Sequence, residues 1–412
     1  MSAEDQVQKM LLQRYYGHKD FRPEQLCIIK TILSGRDVLA ILPTGGGKSV
    51  CYQIPALNLR GVTIVISPLI SLMKDQVDSL KKKGIRATYL NSSLDKYKLK
   101  FRTQQIKALE QKIIYVSPER LNTKSFIELC KNITIDFIAV DEAHCISQWG
   151  HDFRPAYLKI NNFIRTLPKR PIIAAFTATA TRKVRIDISR QLKLKTPKKF
   201  IGSFDRANLS FKILRTDEVL KETFLFDLIK KNTGISLVFC QSRKQVERIY
   251  LSLRSFGINA GFYHAGLSQE QRKIVQGEFM MTKYRVVACT NAFGMGIDKP
   301  DVRYVYHIGF PPNLENYYQE VGHAGRDGEN SECALIYSVN DVRQRQFQLR
   351  KKYEDTELKT NRELEKWDKQ RLDSMLRFLI TEKCRKRFIL RYFGERRKKP
   401  CNMCDNCNSC KT

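Results

Sequence analysis

No apolar run in this sequence is long enough to cross a membrane. The longest, Val62 to Met73, is broken by Ser67, Pro68 and Ser71, well short of the ~20 residues a spanning helix needs. No secretory leader is expected either. Met1 to Gln13 is polar and has no apolar core of signal-peptide length. Neither a solenoid repeat nor a low-complexity tract is present. Acidic residues are scarce: 42 Asp and Glu stand against 73 Lys and Arg, a net charge of +31 over 412 residues. On these absences no membrane partner is expected, and an intracellular protein is. A bacterial cytoplasm or nucleoid is favoured, or the nucleus if the source is eukaryotic. A surface so positive attracts polyanions, and nucleic acid is the first partner to expect. General lysine richness for solubility would give the same count, but here the excess accompanies motifs that need a polyanion track.

The chain is too long for one ordinary domain and suggests two or three. Hydrophobic residues make up 42%, enough for real cores. Of twelve cysteines, seven are scattered singly through Cys333, mostly in apolar surroundings typical of buried thiols. The other five gather between Cys384 and Cys410. That clustering points to metal rather than disulfides.

The first half alternates short apolar runs with longer amphipathic segments. Val38–Leu42, Val62–Ser67, Ile113–Ser117, Phe137–Val140 and Ile172–Thr177 each precede a polar turn. Buried parallel strands alternating with helices give this α/β texture, and ligands bind at the carboxyl ends of such strands. The pattern pauses at Gly202–Asn208, read as a linker. It resumes with Ser236–Cys240, Ala260–His264, Arg285–Cys289, Tyr304–Ile308 and Cys333–Tyr337. Two α/β domains so joined are expected to enclose a cleft. After about Asn340 strand signals stop. Leu364, Trp367, Leu372, Met375, Leu376 and Leu379 recur at helical spacing. The expected domains are residues 1–205, 206–342 and a helical 343–412.

Pro43-Thr44-Gly45-Gly46-Gly47-Lys48-Ser49 can cradle phosphates. The glycines let successive N–H groups face an anion, and the helix starting near Lys48 adds its positive end. Lys48 is expected on the β- and γ-phosphates and the Ser49 hydroxyl on magnesium. The usual expression has glycine where this chain has Leu42. About ninety residues on, Val140-Asp141-Glu142-Ala143-His144 follows an apolar run. Asp141 is the candidate magnesium ligand and Glu142 the base or orienter of the attacking water. Alone, such a pair could be the acidic first turn of a helix; after a phosphate loop it reads as an ATP-hydrolysing site. Gly322-His323-Ala324-Gly325-Arg326-Asp327-Gly328 offers Arg326 as an arginine finger. In isolation a glycine-rich surface turn is the favoured reading of that segment.

These residues resemble the RecQ family of DNA helicases, within helicase superfamily 2, over nearly the whole chain. The resemblance implies two tandem RecA-like parallel-sheet lobes and a small helical zinc-binding subdomain. Phe21-Arg22-Pro23-Glu24-Gln25 is similar to the family's motif 0, which implies that Gln25 reads adenine with support from Arg22. The position that usually stacks on adenine is His18 here, so a looser adenine preference is expected. Ser67–Gln76 looks like motif Ia and Ser117-Pro118-Glu119-Arg120 like motif Ib, with Ser67, Pro68 and Ser117 on the DNA backbone. Phe176–Ala180 is similar to motif III. Val238–Arg243 resembles motif IV, with Ser242 and Arg243 on DNA. Ala292–Pro300 looks like motif V, placing Gly296 and Asp298 at the nucleotide. Tyr317–Gly328 resembles motif VI, with Gln319 and Arg326 in the hydrolytic role. Where motif VI usually has its first arginine, this chain has His323. The substitution loses one positive group or makes it pH-dependent.

The most specific element is Cys145–Pro155, similar to the aromatic-rich loop that marks the family. Gln148, Trp149, Phe153 and Arg154 are its DNA-contacting residues in that reading. Flat rings suit unstacked bases, and arginine adds charge. Directly after Asp141–His144, the loop can report DNA to the ATP site. A core tryptophan is the bland reading of Trp149, weakened by its polar neighbours.

Cys401, Cys404, Cys407 and Cys410 form three consecutive C-x2-C steps. They could bind zinc, or an iron–sulfur cluster as a minor alternative, since the ferredoxin run needs a longer last step and a proline. The resemblance implies a different set: Cys384 with Cys401, Cys404 and Cys407 around a structural zinc, leaving Cys410 spare. The flanking Arg385-Lys386-Arg387 and Arg396-Arg397-Lys398-Lys399 are expected on DNA phosphates, although the second group also reads as a solvated basic face. Many relatives continue into a winged-helix domain and a small helical domain. The end of the sequence here carries the expectation that unwinding is weak or partner-dependent.

The whole implies an ATP-, Mg2+- and Zn2+-dependent 3′–5′ DNA helicase acting in recombination or repair. Its expected partners are single-stranded and tailed duplex DNA, with single-stranded-DNA-binding or repair proteins. Two alternatives stay open: an ATP-switched DNA-binding or strand-annealing protein with little unwinding, and an RNA helicase.

Overall fold

The computed structural model describes residues 3–294, 299–354 and 362–408. Gly296, Asp298 and Cys410 lie outside the described residues. The chain divides into two units, Met1–Ser203 and Phe204–Thr412.

The first unit carries seven strands: β1 (Val38–Ile41), β2 (Val62–Ile66), β3 (Ala87–Leu90), β4 (Ile113–Val116), β5 (Ile135–Val140), β6 (Ile172–Thr177) and β7 (Lys198–Ile201). They lie in the order β3-β4-β2-β5-β6-β1-β7, and every pairing is parallel. All residues of β1, β2 and β4 are buried, as expected of strands covered on both faces. That is why they read as unbroken apolar runs. The two strands not anticipated are β3 and β7, the two edges of the sheet. In β7 only Phe200 is buried, so no apolar run announces it.

Register sets the site. Ile41 pairs with Thr177, Val140 with Ala175 and Ile66 with Val140. The residues that follow therefore emerge on one carboxyl edge. Leu42 N donates to Thr177 O at 3.0 Å, and Asp141 N to Ile66 O at 2.8 Å. Beneath them, Tyr52 on helix Lys48–Asn58 meets Phe176 of β6 edge-on at 5.4 Å between centroids. Both rings are buried. Cutting Phe176 to alanine would cost about 3–5 kcal/mol and loosen the helix behind the phosphate loop.

The second unit has β8 (Leu209–Arg215), β9 (Ser236–Cys240), β10 (Ala260–Tyr263), β11 (Val286–Cys289), β12 (Tyr304–Ile308) and β13 (Ser331–Tyr337), ordered β10-β11-β9-β12-β13-β8 and again all parallel. Helices Val339–Glu354, Arg362–Ile380 and Arg385–Tyr392 follow. Leu372, Met375 and Leu379 are buried on the second of these, the face that the helical spacing predicts. This helix packs on the lobe through Phe378, 5.3 Å from the Tyr317 ring. No described helix is long and apolar enough to cross a membrane.

Candidate nucleotide, nucleic-acid and metal sites

Between β1 and its helix, Gly46 N donates to Pro43 O at 2.9 Å, closing the turn that contains Thr44. Gly47, the residue before the helix, has φ +74°, and a Cβ there would collide with Gln25 Nε2. The positive φ favours glycine here, and a Cβ would also push the Gln25 amide off the loop. Helix Lys48–Asn58 then aims its N-terminus, with Lys48 and Ser49, at the loop's concave side. Lys48 Nζ donates to Leu42 O at 3.4 Å. The Phe21–Gln25 segment grips the loop from outside. The Arg22 guanidinium donates to Gly45 O, and Gln25 Nε2 donates to Gly47 O at 3.1 Å. Gln25 is held in turn by accepting from Arg22 N at 2.8 Å. His18 is exposed near this segment's start.

Asp141 leaves the end of β5 buried, and Tyr157 Oη donates to its carbonyl oxygen at 2.9 Å. Glu142 takes a left-handed backbone at φ +44°, which costs a non-glycine residue about 1–3 kcal/mol. Such strain is tolerated where it aims a side chain. Glu142 Oε2 lies 3.3 Å from His144 Nδ1, which sits 2.8 Å from Thr177 Oγ1. Burial, and then the charge of Glu142, push Asp141 above its ordinary value. Burial also works against charge on Glu142, but the hydrogen bond and charge of His144, with Lys48 and Arg154, bring it below. A buried and a half-buried carboxylate with opposed shifts beside a lysine form a site able to hold a cation and handle a proton.

The following loop is bolted to its neighbours. Arg154 Nη1 donates to Pro68 O at 2.9 Å, and its Nε and Nη2 donate to Asp152 Oδ2 at 3.0 and 2.9 Å. Trp149 is half-buried, not a core residue, and Lys183 Nζ lies 3.2 Å from its ring centroid. Gln148 is exposed and Phe153 half-buried. Ser67 and Ser117 are buried at the ends of β2 and β4. The Ser67 hydroxyl has no hydrogen-bond partner among the described residues. Lys183 and Tyr157 escaped the sequence reading, since neither lies in a motif; the position of Lys183, six residues after Thr177, was the only available signal.

In the second unit, Ser242 and Arg243 are exposed just past β9, and the Ser242 hydroxyl caps helix Arg243–Ser255. They line a cavity of about 400 Å³ with Asn291, His307 and Arg345. Arg326 Nη2 donates to His323 Nδ1 at 3.0 Å. His323 is buried beside Phe239. Its ring acts here as an acceptor that orients Arg326. Gln319 is half-buried on helix Leu314–Val321.

Cys384, Cys401, Cys404 and Cys407 bring their sulfurs within 4.8 Å of one another. Cys401 and Cys407 sulfurs are 3.8 Å apart, and Cys404 and Cys407 sulfurs 3.4 Å. A tetrahedral zinc with bonds of about 2.3 Å wants sulfurs nearly 4 Å apart. Backbone N–H groups of Cys401, Arg385 and Met403 donate to Cys384, Cys404 and Cys401 sulfurs, each at 3.4 Å. Such donors favour thiolates. The set fits zinc. One expectation fails beside it. Arg385 and Lys386 are buried and do not face phosphates. Arg385 holds Asp405 and the Phe378 carbonyl oxygen, and Lys386 Nζ donates to Arg206 O at 2.9 Å. Helix-end carbonyls and a carboxylate drew Arg385 inward, and loop carbonyls before β8 drew Lys386. Arg387 is exposed.

Two parallel-sheet lobes, the first carrying a phosphate loop and an Asp-Glu pair on one edge, define the helicase class built on RecA-like lobes. Residues 22–186 match the DEAD/DEAH box helicase family, 218–328 the helicase conserved C-terminal domain, and 339–408 the RecQ zinc-binding family. The chain belongs to the RecQ family. It is 43% identical over 96% of its length to the ATP-dependent DNA helicase RecQ of Bacillus subtilis and, over the same share, to that of Haemophilus influenzae. It spans 66% and 63% of those relatives' own lengths. A putative ATP-dependent RNA helicase of Acanthamoeba polyphaga mimivirus is 42% identical over 97% of this chain and 71% of its own. Among solved structures, the DEAD-box helicase Mss116 bound to ssRNA superposes with a TM-score of 0.69 at 19% identity, covering 86% of this chain and 76% of that one. Mycobacterium smegmatis helicase Lhr, bound to ssDNA and AMP-PNP, gives 0.64 at 20%, covering 85% and 49%. These two likenesses establish the fold.

Proposed function

We propose that this chain is an ATP-dependent DNA helicase of RecQ type. It hydrolyses ATP with Mg2+, moves 3′ to 5′ along single-stranded DNA and separates duplexes in recombination or repair, inside the cell. The observation that carries the reading is the bolted edge of the first sheet. Phosphate loop, Asp141–Glu142 pair and aromatic-rich loop emerge on it together, with Arg154 tied to the turn after β2 through Pro68 and His144 tied to the end of β6 through Thr177. His151 of that loop stacks on His144 at 4.1 Å between centroids, and His144 lies beside Glu142, so a ligand held by the loop would disturb the neighbour of Glu142.

In this reading Lys48 binds the β- and γ-phosphates, and Thr44 and Gly45–Gly47 cradle them. Ser49 and Asp141 hold Mg2+, which supplies charge neutralisation at the phosphoryl oxygens. Glu142 orients the attacking water and takes its proton. Arg326, steadied by His323, serves the transition-state charge, with Gln319 in support. His18, Arg22 and Gln25 hold the base. Ser67, Pro68, Ser117, Gln148, Trp149, Phe153, Arg154, Ser242 and Arg243 contact DNA. Gly296 and Asp298 complete the nucleotide contacts, and Cys384, Cys401, Cys404 and Cys407 hold zinc. The domains follow as residues 1–205, 206–342 and 343–412, with tailed duplexes and repair proteins as partners.

Strand separation on a 3′-tailed duplex, with DNA or RNA as the tracking strand, tests the reading. ATP-dependent separation on the DNA track is expected. Separation on the RNA track alone would favour the activity named for the mimiviral relative. Strand annealing without separation would favour an ATP-switched binding protein.

A further inference from the structure

Helix Lys96–Lys107 contains no acidic residue. Asp95 caps it by accepting from Lys98 N at 2.8 Å. Two side chains anchor it to the first sheet. Ile106 is fully buried. Arg102 lies over the Tyr89 ring of β3 at 3.9 Å and donates to the Tyr89 carbonyl oxygen at 2.9 Å. With those residues facing inward, Lys96, Lys100 and Lys107 fall on another face, at the edge of a cavity of about 350 Å³. Helix Lys124–Lys131 forms the opposite wall.

The cavity's fourth cation is Arg120, which ends the Ser117–Arg120 segment after β4, and no carboxylate among the described residues lines it. Lys98 has its ion pair with Asp95, but among the described residues Lys96, Lys100 and Lys107 have none. Arg120 Nε is buried without a hydrogen-bond partner among the described residues. Four like charges around one apolar-floored cavity disfavour each other until an anion enters. Beside the lysines on the same helix, one turn apart, Tyr97 and Phe101 are 81% and 53% exposed. Cations next to flat, solvent-facing rings are what a single strand uses: charge for its phosphates and faces for its bases. An acidic peptide would satisfy the cations and leave the two rings without a role.

We propose that this pocket binds the sugar–phosphate backbone of a single strand beyond the Ser117–Arg120 contact, with Tyr97 and Phe101 as stacking platforms for its bases. The inference rests on the reading of the chain as a nucleic-acid motor and adds a second anchorage on its first lobe.

The test uses the full chain carrying Lys96→Gln, Lys100→Gln and Lys107→Gln together, its folding checked by thermal melting. Binding of a 40-nucleotide single strand is titrated by fluorescence anisotropy across salt concentrations. Each phosphate contact on a single strand contributes about 0.7 to the salt slope, so the slope is expected to fall by about 2 and low-salt affinity roughly tenfold. A second variant, Tyr97→Leu with Phe101→Leu, is expected to weaken binding several-fold while leaving the slope unchanged. Parental slope and affinity in the lysine variant overturn the proposal. So does unchanged DNA binding with lost binding of an Asp-rich decapeptide, which would assign the pocket to an acidic protein tail. A parental chain that binds no single strand at all overturns the motor reading along with it, and is recognised because the parent, not the variant, fails.

Discussion

Arg154 donates from Nη1 to the carbonyl oxygen of Pro68, 86 residues earlier in the chain, at 2.9 Å. The same guanidinium is held by Asp152. In the proposed reading this ties the loop that meets bases to the turn that meets the DNA backbone, and both adjoin the strand ends that carry the proposed nucleotide residues. Replacing Arg154 or Trp149 by alanine is expected to lower DNA-stimulated ATP hydrolysis tenfold or more while basal hydrolysis changes little. Steady-state rates with and without single-stranded DNA measure the split. Equal loss of both rates, with a lowered melting temperature, would mean that the loop is only structural.

Lys48→Ala is expected to reduce DNA-stimulated hydrolysis at least a hundredfold, the scale for losing a charge aimed at the transition state. DNA binding should be largely kept, because no DNA-contacting residue proposed above touches Lys48. Retained hydrolysis would remove the phosphate loop from the mechanism.

Metal analysis should find one zinc and no iron per chain. Cys401→Ser or Cys404→Ser should release the zinc and lower the melting temperature, because metal binding here is folding free energy. Cys384→Ser should lose the metal and Cys410→Ser keep it. The opposite pair of results would assign the site to the four-cysteine run alone.

Lys221 is buried in the second unit between Asp341, at 2.9 Å, and Glu218, at 2.7 Å. Gln241 also donates to Asp341, at 3.1 Å. Lys221→Met would leave the buried Asp341 carboxylate short of its cation, at a cost of about 3–5 kcal/mol. Urea denaturation reads this directly. A loss below about 1 kcal/mol, the scale of an exposed pair, would show that the cluster is solvated in solution.

Much of this was legible in the sequence, for physical reasons. Two-sided burial makes β1, β2 and β6 continuous apolar runs, and phosphate chemistry dictates Gly45–Ser49 and Asp141–Glu142 as local patterns. Edge strands are covered on fewer sides, so β7 and β8 mix polar with apolar residues and escaped notice. Contacts made by register are equally silent: nothing local in Lys183 announces Trp149, nor in Arg154 the Pro68 carbonyl. Charge misleads in the other direction. Arg385 and Lys386 look like a phosphate-binding run until burial shows them spent on internal carbonyls.

β8 lies at one end of the second sheet, and Ile213 N on it donates to Asp405 Oδ2 at 2.8 Å. Asp405 sits between Cys404 and Cys407, and Arg385 clamps it from the other side. The cysteine knuckle thus occupies a strand margin that would otherwise be open to a second chain. Zinc starvation would then do more than soften a corner of the protein. It is expected to free the Ile213 N–H and part of that margin for intermolecular strand pairing.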